Sequence, residues 1–444
     1  MHRGSSRPRV AVIGSGISGL SAAWLLAQTH DVTLYEQAPR LGGHTRTVQV
    51  PGTGPVDMGF IVYNEATYPN LVALFRHLGV ATQASDMSFA VSLGGGRLEY
   101  AGTDLRGLFA QPGNAFSPRF WSMLRDLLRF YRNAPRDAVA LERDLISLDA
   151  YLKGRGYGAA FVHDHLLPMA AAIWSTPAAE VGAYPAAVFI RFCENHGLLK
   201  LRDRPVWRSV TGGSSAYIGK LTASLAGAIR LRCGVVALRR EADRVVLRDS
   251  DGETAVYDQV VLATHAPQAL AMLEDPSDAE IALLGAIRTA DNRVVMHSDA
   301  SLMPRRRAAW ASWNYIDTQA DGLCVTYWMN RLQSLTGSRP IFVTLNPASQ
   351  PADILHEKIF AHPQFDATAL RAQRALWSLQ GTRHTWYCGA WFGAGFHEDG
   401  LQAGLAVAEQ LGGVRRPWQA ADHSSRIRHV LTPDVPAPDV LVPA

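Results

Sequence analysis

The strongest constraint in this sequence lies near its amino terminus, where residues 8–36 alternate between apolar, glycine-rich and helix-forming stretches. The short apolar run RVAVI is followed by GSGISG, by the Ala-rich stretch LSAAWLLAQ and by a second apolar run, VTLYE. Strand, glycine turn, helix and second strand in this order form a βαβ unit, whose two strands are parallel. The sequence therefore predicts a parallel sheet with a helix packed on it.

The glycine spacing inside this unit is that of a dinucleotide-binding fingerprint. Gly14 permits a tight turn, Gly16 lets the backbone approach a pyrophosphate, and Gly19 lets the helix pack on the strand. Glu36 ends the second strand about 20 residues after Gly14, where a carboxylate accepts hydrogen bonds from ribose hydroxyls and repels a 2′-phosphate. The cofactor-binding residues predicted from this unit are Gly14, Gly16, Ile17, Ser18, Gly19, Glu36 and Gln37.

A second glycine cluster follows at once, in the sequence EQAPRLGGHTRT of residues 36–47. The pair Gly42 and Gly43 permits close approach of the backbone, and Arg40 can neutralise phosphate charge. The alternative interpretation is an ordinary glycine loop. Its position directly after the ribose-binding acid favours a second contact with the same cofactor.

The order strand, GxGxxG, helix, glutamate and RLGGHTRT resembles the superfamily of FAD-dependent amine oxidases and phytoene desaturases. The resemblance covers roughly residues 8–412. It is closest to a subgroup of predicted NAD/FAD-binding proteins with GGHT, DMGFIVYNEATYPNL and GFHEDGL, whose members are often encoded beside cyclopropane-fatty-acyl-phospholipid synthases. The resemblance implies non-covalent FAD and hydride transfer to the flavin. Members usually have arginine after the two glycines, where this chain has His44.

Four later stretches resemble further landmarks of the superfamily: VDMG, GVV, DQVVLATHAP and YCGAWFGAGFHEDGLQAG. The resemblance implies that Gly59 lies beside the flavin, that Val236 meets the adenine, and that a helix starting near Gly400 stabilises negative charge at flavin O2. The cofactor residues added in this way are Arg40, Gly42, Gly43, His44, Thr45, Gly59, Phe60, Val236, Gly389, Gly400 and Leu401. Tyr63, Trp391 and Phe396 are candidates to line the substrate cavity, with burial in the core as the alternative for each.

The predicted fold class is α/β, with a Rossmann-type, glutathione-reductase-like FAD-binding domain interleaved with a mixed α+β substrate domain. Residues 1–84, 205–285 and 380–415 are assigned to the FAD-binding domain, and residues 85–204 and 286–379 to the substrate domain. Residues 416–444 are rich in arginine and proline and are predicted to form a loose carboxyl-terminal extension.

Net charge, apolar run length and cysteine spacing each exclude certain classes of function. A net charge of +4 over 444 residues gives no reason to expect a nucleic-acid partner. No apolar run is long enough to cross a membrane, and the four cysteines form no CxxC pair, so neither a disulfide framework nor a metal site is predicted. The expected location is the cytoplasm, and the inner face of the membrane is the more specific alternative. The sequence leaves the oligomeric state open.

Lysine is scarce, and this bears on the reaction. Amine oxidases of the superfamily commonly use a lysine near flavin N5 and an aromatic cage, but the corresponding stretch, residues 291–299, has none, and Lys220 and Lys358 are predicted on helix surfaces. Phe396 stands near a position where the cage often has tyrosine. The preferred hypothesis is desaturation of a lipid or modified fatty acyl chain. An amine oxidase and a non-catalytic lipid- or partner-binding protein are the alternatives, and no catalytic residue is predicted.

Residues 117–132 form the clearest amphipathic helix of the chain. Their apolar positions follow helical spacing and their basic positions are Arg119, Arg125, Arg129 and Arg132. Such a helix suits the surface of an anionic membrane. The alternative is a helix whose apolar stripe lies in the core of the substrate domain.

Overall fold

The structure is a computed structural model that describes residues 7–141, 146–174, 178–201, 203–225, 227–317, 323–420 and 424–427. The strands are β1 (Arg9–Ile13), β2 (Asp31–Glu36), β3 (Thr47–Val50), β4 (Gly54–Asp57), β5 (Tyr63–Asn64), β6 (Thr82–Ser85), β7 (Phe89–Leu93), β8 (Leu98–Ala101), β9 (Trp207–Val210), β10 (Ile229–Leu231), β11 (Val235–Arg240), β12 (Val245–Asp249), β13 (Thr254–Tyr257), β14 (Gln259–Leu262), β15 (Thr289–His297), β16 (Trp313–Ile316), β17 (Val325–Trp328), β18 (Phe342–Leu345), β19 (Ile354–Pro363) and β20 (Thr385–Tyr387).

The helices are α1 (Ile17–Leu26), α2 (Pro69–His77), α3 (Leu105–Leu108), α4 (Pro118–Leu141), α5 (Leu148–Gly154), α6 (Ala159–Phe161), α7 (Leu167–Trp174), α8 (Ala178–Val181), α9 (Ala186–Asn195), α10 (Ala216–Thr222), α11 (Ala266–Met272), α12 (Asp278–Gly285), α13 (Met329–Leu332), α14 (Ala367–Gln373) and α15 (His397–Gly412). A π-helical turn, Val162–Leu166, precedes α7. None of the described helices combines the length and hydropathy needed to cross a bilayer.

The predicted βαβ unit forms the centre of a parallel sheet with strand order β10-β2-β1-β14-β20. Val10, Ala11 and Val12 on β1 are fully buried, as a central strand covered on both faces requires. Helix α1 packs against α15, and Gly404 makes this contact close, because a Cβ there would lie 2.1 Å from the Ser18 carbonyl oxygen. These elements confirm the α/β class.

The second large sheet has seven strands in the order β19-β15-β18-β17-β16-β7-β8, with β16 and β7 parallel and its other pairs antiparallel. Its strands come from both predicted insertions, because β7 and β8 precede residue 204 and β15–β19 follow residue 286. The helices between α4 and α9 share its hydrophobic core. The exact domain boundaries stay a prediction.

The described residues of the predicted carboxyl-terminal extension, 416–420 and 424–427, contact the fold through two arginines. Residues 421–423 and 428–444 of that predicted loose extension lie outside the described part of the chain. Arg416 pairs with Glu409 at 2.8 Å, and its side chain is 3% exposed. Arg426 pairs with Asp399 at 2.7 Å and donates to the Thr67 carbonyl oxygen at 2.7 Å. Asp399 in the first turn of α15 and Glu409 in its last turn attract these arginines, which composition alone does not reveal.

Candidate active site

A cavity of about 1740 Å³ extends from the parallel sheet to the seven-stranded sheet. This exceeds the roughly 300–1,000 Å³ of an ordinary small-molecule pocket, so a large cofactor and a substrate can share it. We call the part lined by residues 13–18, 36–44, 59–60, 389–391 and 397 the cofactor half, and Phe396 belongs to the other half. The part lined by α4, α9, residues 197–207 and the seven-stranded sheet is the substrate half.

The first glycine turn leaves open space where the fingerprint predicts a pyrophosphate. A Cβ on Gly16 would meet nothing within 4 Å, and Gly16 caps α1 without a side-chain hydrogen bond. The first N–H groups of α1 are therefore free to bind an anion. Gly14 has φ +99°, and a Cβ on Gly19 would lie 1.9 Å from the Gly14 carbonyl oxygen, so both positions need glycine.

The second glycine loop packs directly on the first. Gly42 N–H donates to the Ser15 carbonyl oxygen at 3.0 Å, and a Cβ on Gly43 would lie 3.0 Å from the Gly16 Cα. Arg40 lines the cavity and donates to three carbonyl oxygens of its own loop at 3.2–3.3 Å. The arginine thus holds the loop in shape beside the phosphate space.

Glu36 stands at the end of β2 in the cavity wall, as predicted for a ribose-binding acid. Its carboxylate accepts hydrogen bonds from the Ser15 N–H at 3.1 Å, from the Ser15 hydroxyl and from the Ala38 N–H at 2.8 Å. These donors fix the carboxylate, and it stays partly exposed for further donors.

His44 is partly buried in the cavity wall where the two halves meet. Its ring centroid is 6.0 Å from that of His265 and 5.4 Å from that of His362. Burial, aided by these neighbours, holds the pKa of His44 well below its usual range, and burial lowers the pKa of His362 to about 4. The imidazole is therefore neutral, and its Nε2 has no hydrogen-bond partner within the described part of the chain.

The stretch VDMG is anchored by its aspartate. Asp57 accepts hydrogen bonds from the Ser214 N–H at 2.9 Å and from the Gln333 side chain at 2.8 Å, and burial raises its pKa to about 6. This places Gly59 so close to His44 that a Cβ would lie 2.0 Å from the His44 carbonyl oxygen. Phe60 then stacks on His397, with ring centroids 3.8 Å apart.

Most predicted cofactor residues line the cavity, and a few support it from behind. The lining includes Gly14, Gly16, Ile17, Ser18, Glu36, Gln37, Arg40, Gly42, Gly43, His44, Gly59, Phe60 and Gly389. Gly19 lies against Gly14 and Ala263, and Gly400 packs on Ile17 and Ser18 of α1. Leu401 is buried in the core, and Thr45 is buried with its hydroxyl 2.7 Å from the Tyr217 hydroxyl.

Two details of the cofactor prediction need correction. Val236 is 46% exposed and does not line the cavity, whereas Gly234 and Val235 do, because a β-bulge between Val235 and Ala237 turns Val236 outward. Helix α15 begins at His397 rather than near Gly400, since the Asp399 carboxylate accepts the Phe396 N–H at 2.7 Å and caps the helix there.

The three aromatic candidates for the substrate cavity lie in two different environments. Trp391 and Phe396 line the cavity, whereas Tyr63 packs in the core against Phe75, with ring centroids 5.4 Å apart. Trp391 is 2% exposed, and its indole N–H donates to the Thr264 carbonyl oxygen at 3.0 Å.

Side chains that the sequence did not single out dominate the substrate half. Phe192 stacks on Phe396, with ring centroids 4.9 Å apart, and His196 stacks on Phe192 at 4.0 Å. Nδ1 of His196 lies 3.0 Å from the Phe192 carbonyl oxygen, which makes Nδ1 the protonated nitrogen and leaves Nε2 as an acceptor. Nε2 has no partner among the described residues, and burial lowers the pKa of His196 to about 3. In the sequence, His196 is a single histidine beside an apolar stretch, and nothing in that pattern predicts a place in the cavity wall.

Only one of the two lysines predicted on helix surfaces lies on a helix. Lys358 lies on β19 rather than on a helix, and it lines the cavity. It shares a strand face with Phe360 and His362, since side chains alternate along a strand. Lys220 does lie on a helix, α10, where its ammonium group donates to the Leu78 carbonyl oxygen at 3.2 Å.

Residues 17–298 match the family of flavin-containing amine oxidoreductases. The chain belongs to this family. Membership implies FAD as the cofactor, which disfavours the non-catalytic alternative. The chain spans just under two thirds of the length of the first curated relatives that it matches, 65% in each case. The residues present fit FAD, because the open space at Gly16, the free N–H groups of α1 and the half-exposed Glu36 lie along one wall.

Sequence identity to individual relatives is modest. The chain is 28% identical over 306 residues to coproporphyrinogen III oxidase of Mycobacterium tuberculosis, a match that covers 64% of this chain and 65% of that protein. Among solved structures, putrescine oxidase bound to putrescine aligns with a TM-score of 0.68 at 15% identity, covering 91% of this chain and 98% of the other. A fatty acid isomerase from P. acnes that produces CLA aligns at 0.64 and 17%, with the same coverage. These two structures show the fold alone.

Proposed function

We propose that this family member removes a hydride from a C–H bond of a lipid or modified fatty acyl chain and leaves a double bond. The observation that carries the proposal is the apolar and aromatic wall of the substrate half, which includes Leu124, Leu127, Met169, Ile173 and Phe192. A wall of this kind matches an acyl chain, which offers no polar groups for recognition.

Bound FAD would accept the hydride, and O2 or another two-electron acceptor would reoxidise it. The protein would hold the pyrophosphate on the α1 N–H groups and the ribose on Glu36. As the double bond forms, the proton of the neighbouring carbon would pass to solvent water. The imidazoles of His44, His196 and His362 would be neutral at pH 7, because burial lowers the pKa of each.

A product analysis tests this function. FAD-loaded protein is incubated in air with detergent-dispersed phospholipids, some with unmodified and some with cyclopropanated acyl chains, and the lipids are analysed by mass spectrometry. The proposal predicts a loss of two hydrogen atoms from an acyl chain that depends on FAD. The proposal would be overturned if the acyl chains of all these lipids remain unchanged.

Amine oxidation is the second candidate, and Lys358 is the observation that favours it. An ammonium group on the cavity wall beside Phe360 and His362 is compatible with the lysine that such enzymes commonly use. This candidate predicts hydrogen peroxide from putrescine or benzylamine in air and loss of that activity in Lys358→Met.

We also propose a cytoplasmic protein that contacts the inner face of the membrane through residues 117–132. Two features of helix α4 support this proposal, a buried face that fixes the helix on the core and an exposed apolar side chain. Phe120 and Met123 are buried in the core, Leu124 and Leu127 line the cavity, and Leu128 is 51% exposed.

A further inference from the structure

The substrate half opens to the surface among exposed apolar side chains. Trp121 and Leu128 on α4 are each 51% exposed, and Leu201 and Val206 are each 62% exposed. All four also line the cavity. Because each belongs both to the surface and to the cavity wall, the opening lies among them. We call these four side chains the collar.

The collar joins two separate stretches of the chain. Trp121 and Leu128 lie two turns apart on α4, and the other two members lie in the stretch that follows α9. Burial raises the pKa of the Tyr131 hydroxyl to about 12 against an opposing effect of the Arg204 charge, so Arg204 lies near α4. Exposed apolar side chains grouped around one opening indicate an interaction site rather than scattered surface exposure.

Arginine side chains border this opening from both stretches, and Asp104 is an exposed carboxylate that also lines the cavity. Residues 117–132 contain four arginines and one aspartate, Asp126, whose side chain is only 2% exposed. Arg125 lines the cavity with a side chain that is 75% exposed, and Arg204 lines it from the other stretch. Arg119 is held by Asp164, through contacts of 2.7 and 2.9 Å. Phe116, 87% exposed, extends the apolar surface beside α4.

We propose that the collar docks on an anionic phospholipid bilayer and that acyl chains pass from the bilayer into the substrate half between α4 and residues 197–207. The route rests on the proposed function, whereas the docking itself can be measured without turnover. Apolar side chains would enter the interfacial region while the arginines meet lipid phosphates, as in amphipathic helices that lie on membranes.

The bilayer is the occupant that the observations favour. The exposed apolar surface continues into an apolar cavity, so a ligand can move along it without crossing water. The positive charge of the bordering arginines complements anionic headgroups. A second copy of the chain would bring a collar of the same charge, which opposes docking of one collar on another.

Vesicle sedimentation with the full, FAD-loaded chain tests the docking. Vesicles of phosphatidylcholine alone are compared with vesicles that also contain phosphatidylglycerol, at low and high salt. The variant Leu128→Glu/Leu201→Glu is expected to bind anionic vesicles at least about tenfold more weakly, because two apolar contacts are lost. Arg125→Gln is expected to weaken binding about fivefold and to reduce the salt dependence.

Matched controls lie away from the cavity. Ile281→Glu replaces a side chain that is 50% exposed on α12, and Arg371→Gln replaces an exposed arginine on α14. Both are expected to bind vesicles like the unchanged protein. Circular dichroism and FAD absorbance of the collar variants show that they are folded and loaded.

The possible outcomes distinguish a failure of membrane docking from a failure of the proposed function. Binding that requires phosphatidylglycerol and the collar supports the proposal. Absence of vesicle binding overturns the docking even if detergent-dispersed lipid is desaturated, whereas vesicle binding without oxidation of any lipid leaves the docking and ends the proposed function. Collar-dependent dimers in light scattering, with no vesicle binding, would replace the bilayer with a second copy.

Discussion

At the carboxyl edge of the parallel sheet the cavity wall is mostly main chain, whereas beyond Phe60 it consists of rings and aliphatic side chains. Gly14, Gly16 and Gly43 shape the first wall because a side chain there would clash or fill the space. Phe192 and Phe396 typify the second wall, where stacked side chains enclose the space. The first wall therefore binds through N–H groups and the second through shape.

The two halves should differ in how well they tolerate amino-acid substitutions. Main-chain recognition tolerates almost no added atom, so the cofactor half should lose its ligand after one substitution. Side-chain walls can be repacked at moderate cost, so the substrate half should change its selectivity before it loses stability. Each prediction below tests one side of this contrast.

The largest effect is expected where the cofactor half depends on side chains, at the buried Arg426–Asp399 pair. Arg426→Ala leaves the Asp399 carboxylate, which is fully buried, without its partner. The free energy of unfolding should fall by about 3–5 kcal/mol, measured by urea denaturation of the holoprotein. A loss like that of Arg371→Ala, an exposed control, would show that the carboxyl-terminal segment does not support the cofactor half.

Next in size is the loss of FAD from Gly16→Val. A side chain at this position meets no protein atom within 4 Å, so the protein should fold while the space at the α1 amino terminus is filled. FAD affinity, measured by fluorescence titration, should fall about 100-fold or more. In the control Gly219→Val, the new side chain also meets open space but lies outside the cavity, and FAD affinity should stay unchanged. Normal FAD binding by Gly16→Val would contradict the phosphate site.

Acid should weaken both halves through their buried histidines. The pKa values of His397 in the cofactor half and His196 in the substrate half are lowered to about 3 by burial, so the unfolded chain binds protons first as pH falls. Stability is therefore complete above the ordinary histidine pKa of about 6.5 and falls below it. Between about pH 7.5 and 5.5, each should cost about 1.4 kcal/mol in the free energy of unfolding.

His196→Phe provides the check on that pH dependence. Phenylalanine can keep the stack on Phe192 and Phe396, and it cannot titrate. The acid-induced loss measured by urea denaturation should shrink by about 1.4 kcal/mol in this variant. An unchanged pH profile would mean that His196 is not buried as a neutral group.

The smallest effect is expected for Phe396→Leu, which alters the substrate half alone. Its side chain stacks on Phe192, so a smaller side chain loosens the wall without touching the glycine loops. The kcat/KM for a lipid substrate should fall about fivefold, while the Kd for FAD stays within about twofold. A larger effect on FAD than on substrate would break the division between the two halves.

The sequence was informative where local backbone geometry dictates residue type. The Gly14, Gly16 and Gly19 spacing predicts a turn that needs those glycines, and the parallel sheet confirms the βαβ unit. His196 could not be predicted, because its environment is assembled from α9, β9 and the Phe396 loop. Lys358 was misplaced because its exposed, charged strand lacks the apolar alternation of a typical strand. Val236 was misplaced because a bulge shifted the register by one residue.

Anaerobic reduction of the bound flavin tests the central claim most directly. The FAD-loaded protein is titrated without oxygen, with detergent-dispersed phospholipid in one cuvette and with putrescine or benzylamine in another, and the visible flavin absorbance is followed. The account predicts that a lipid bleaches the flavin, with one double bond formed per flavin reduced, and that the amines do not. Bleaching by an amine, with no response to any lipid, would contradict it.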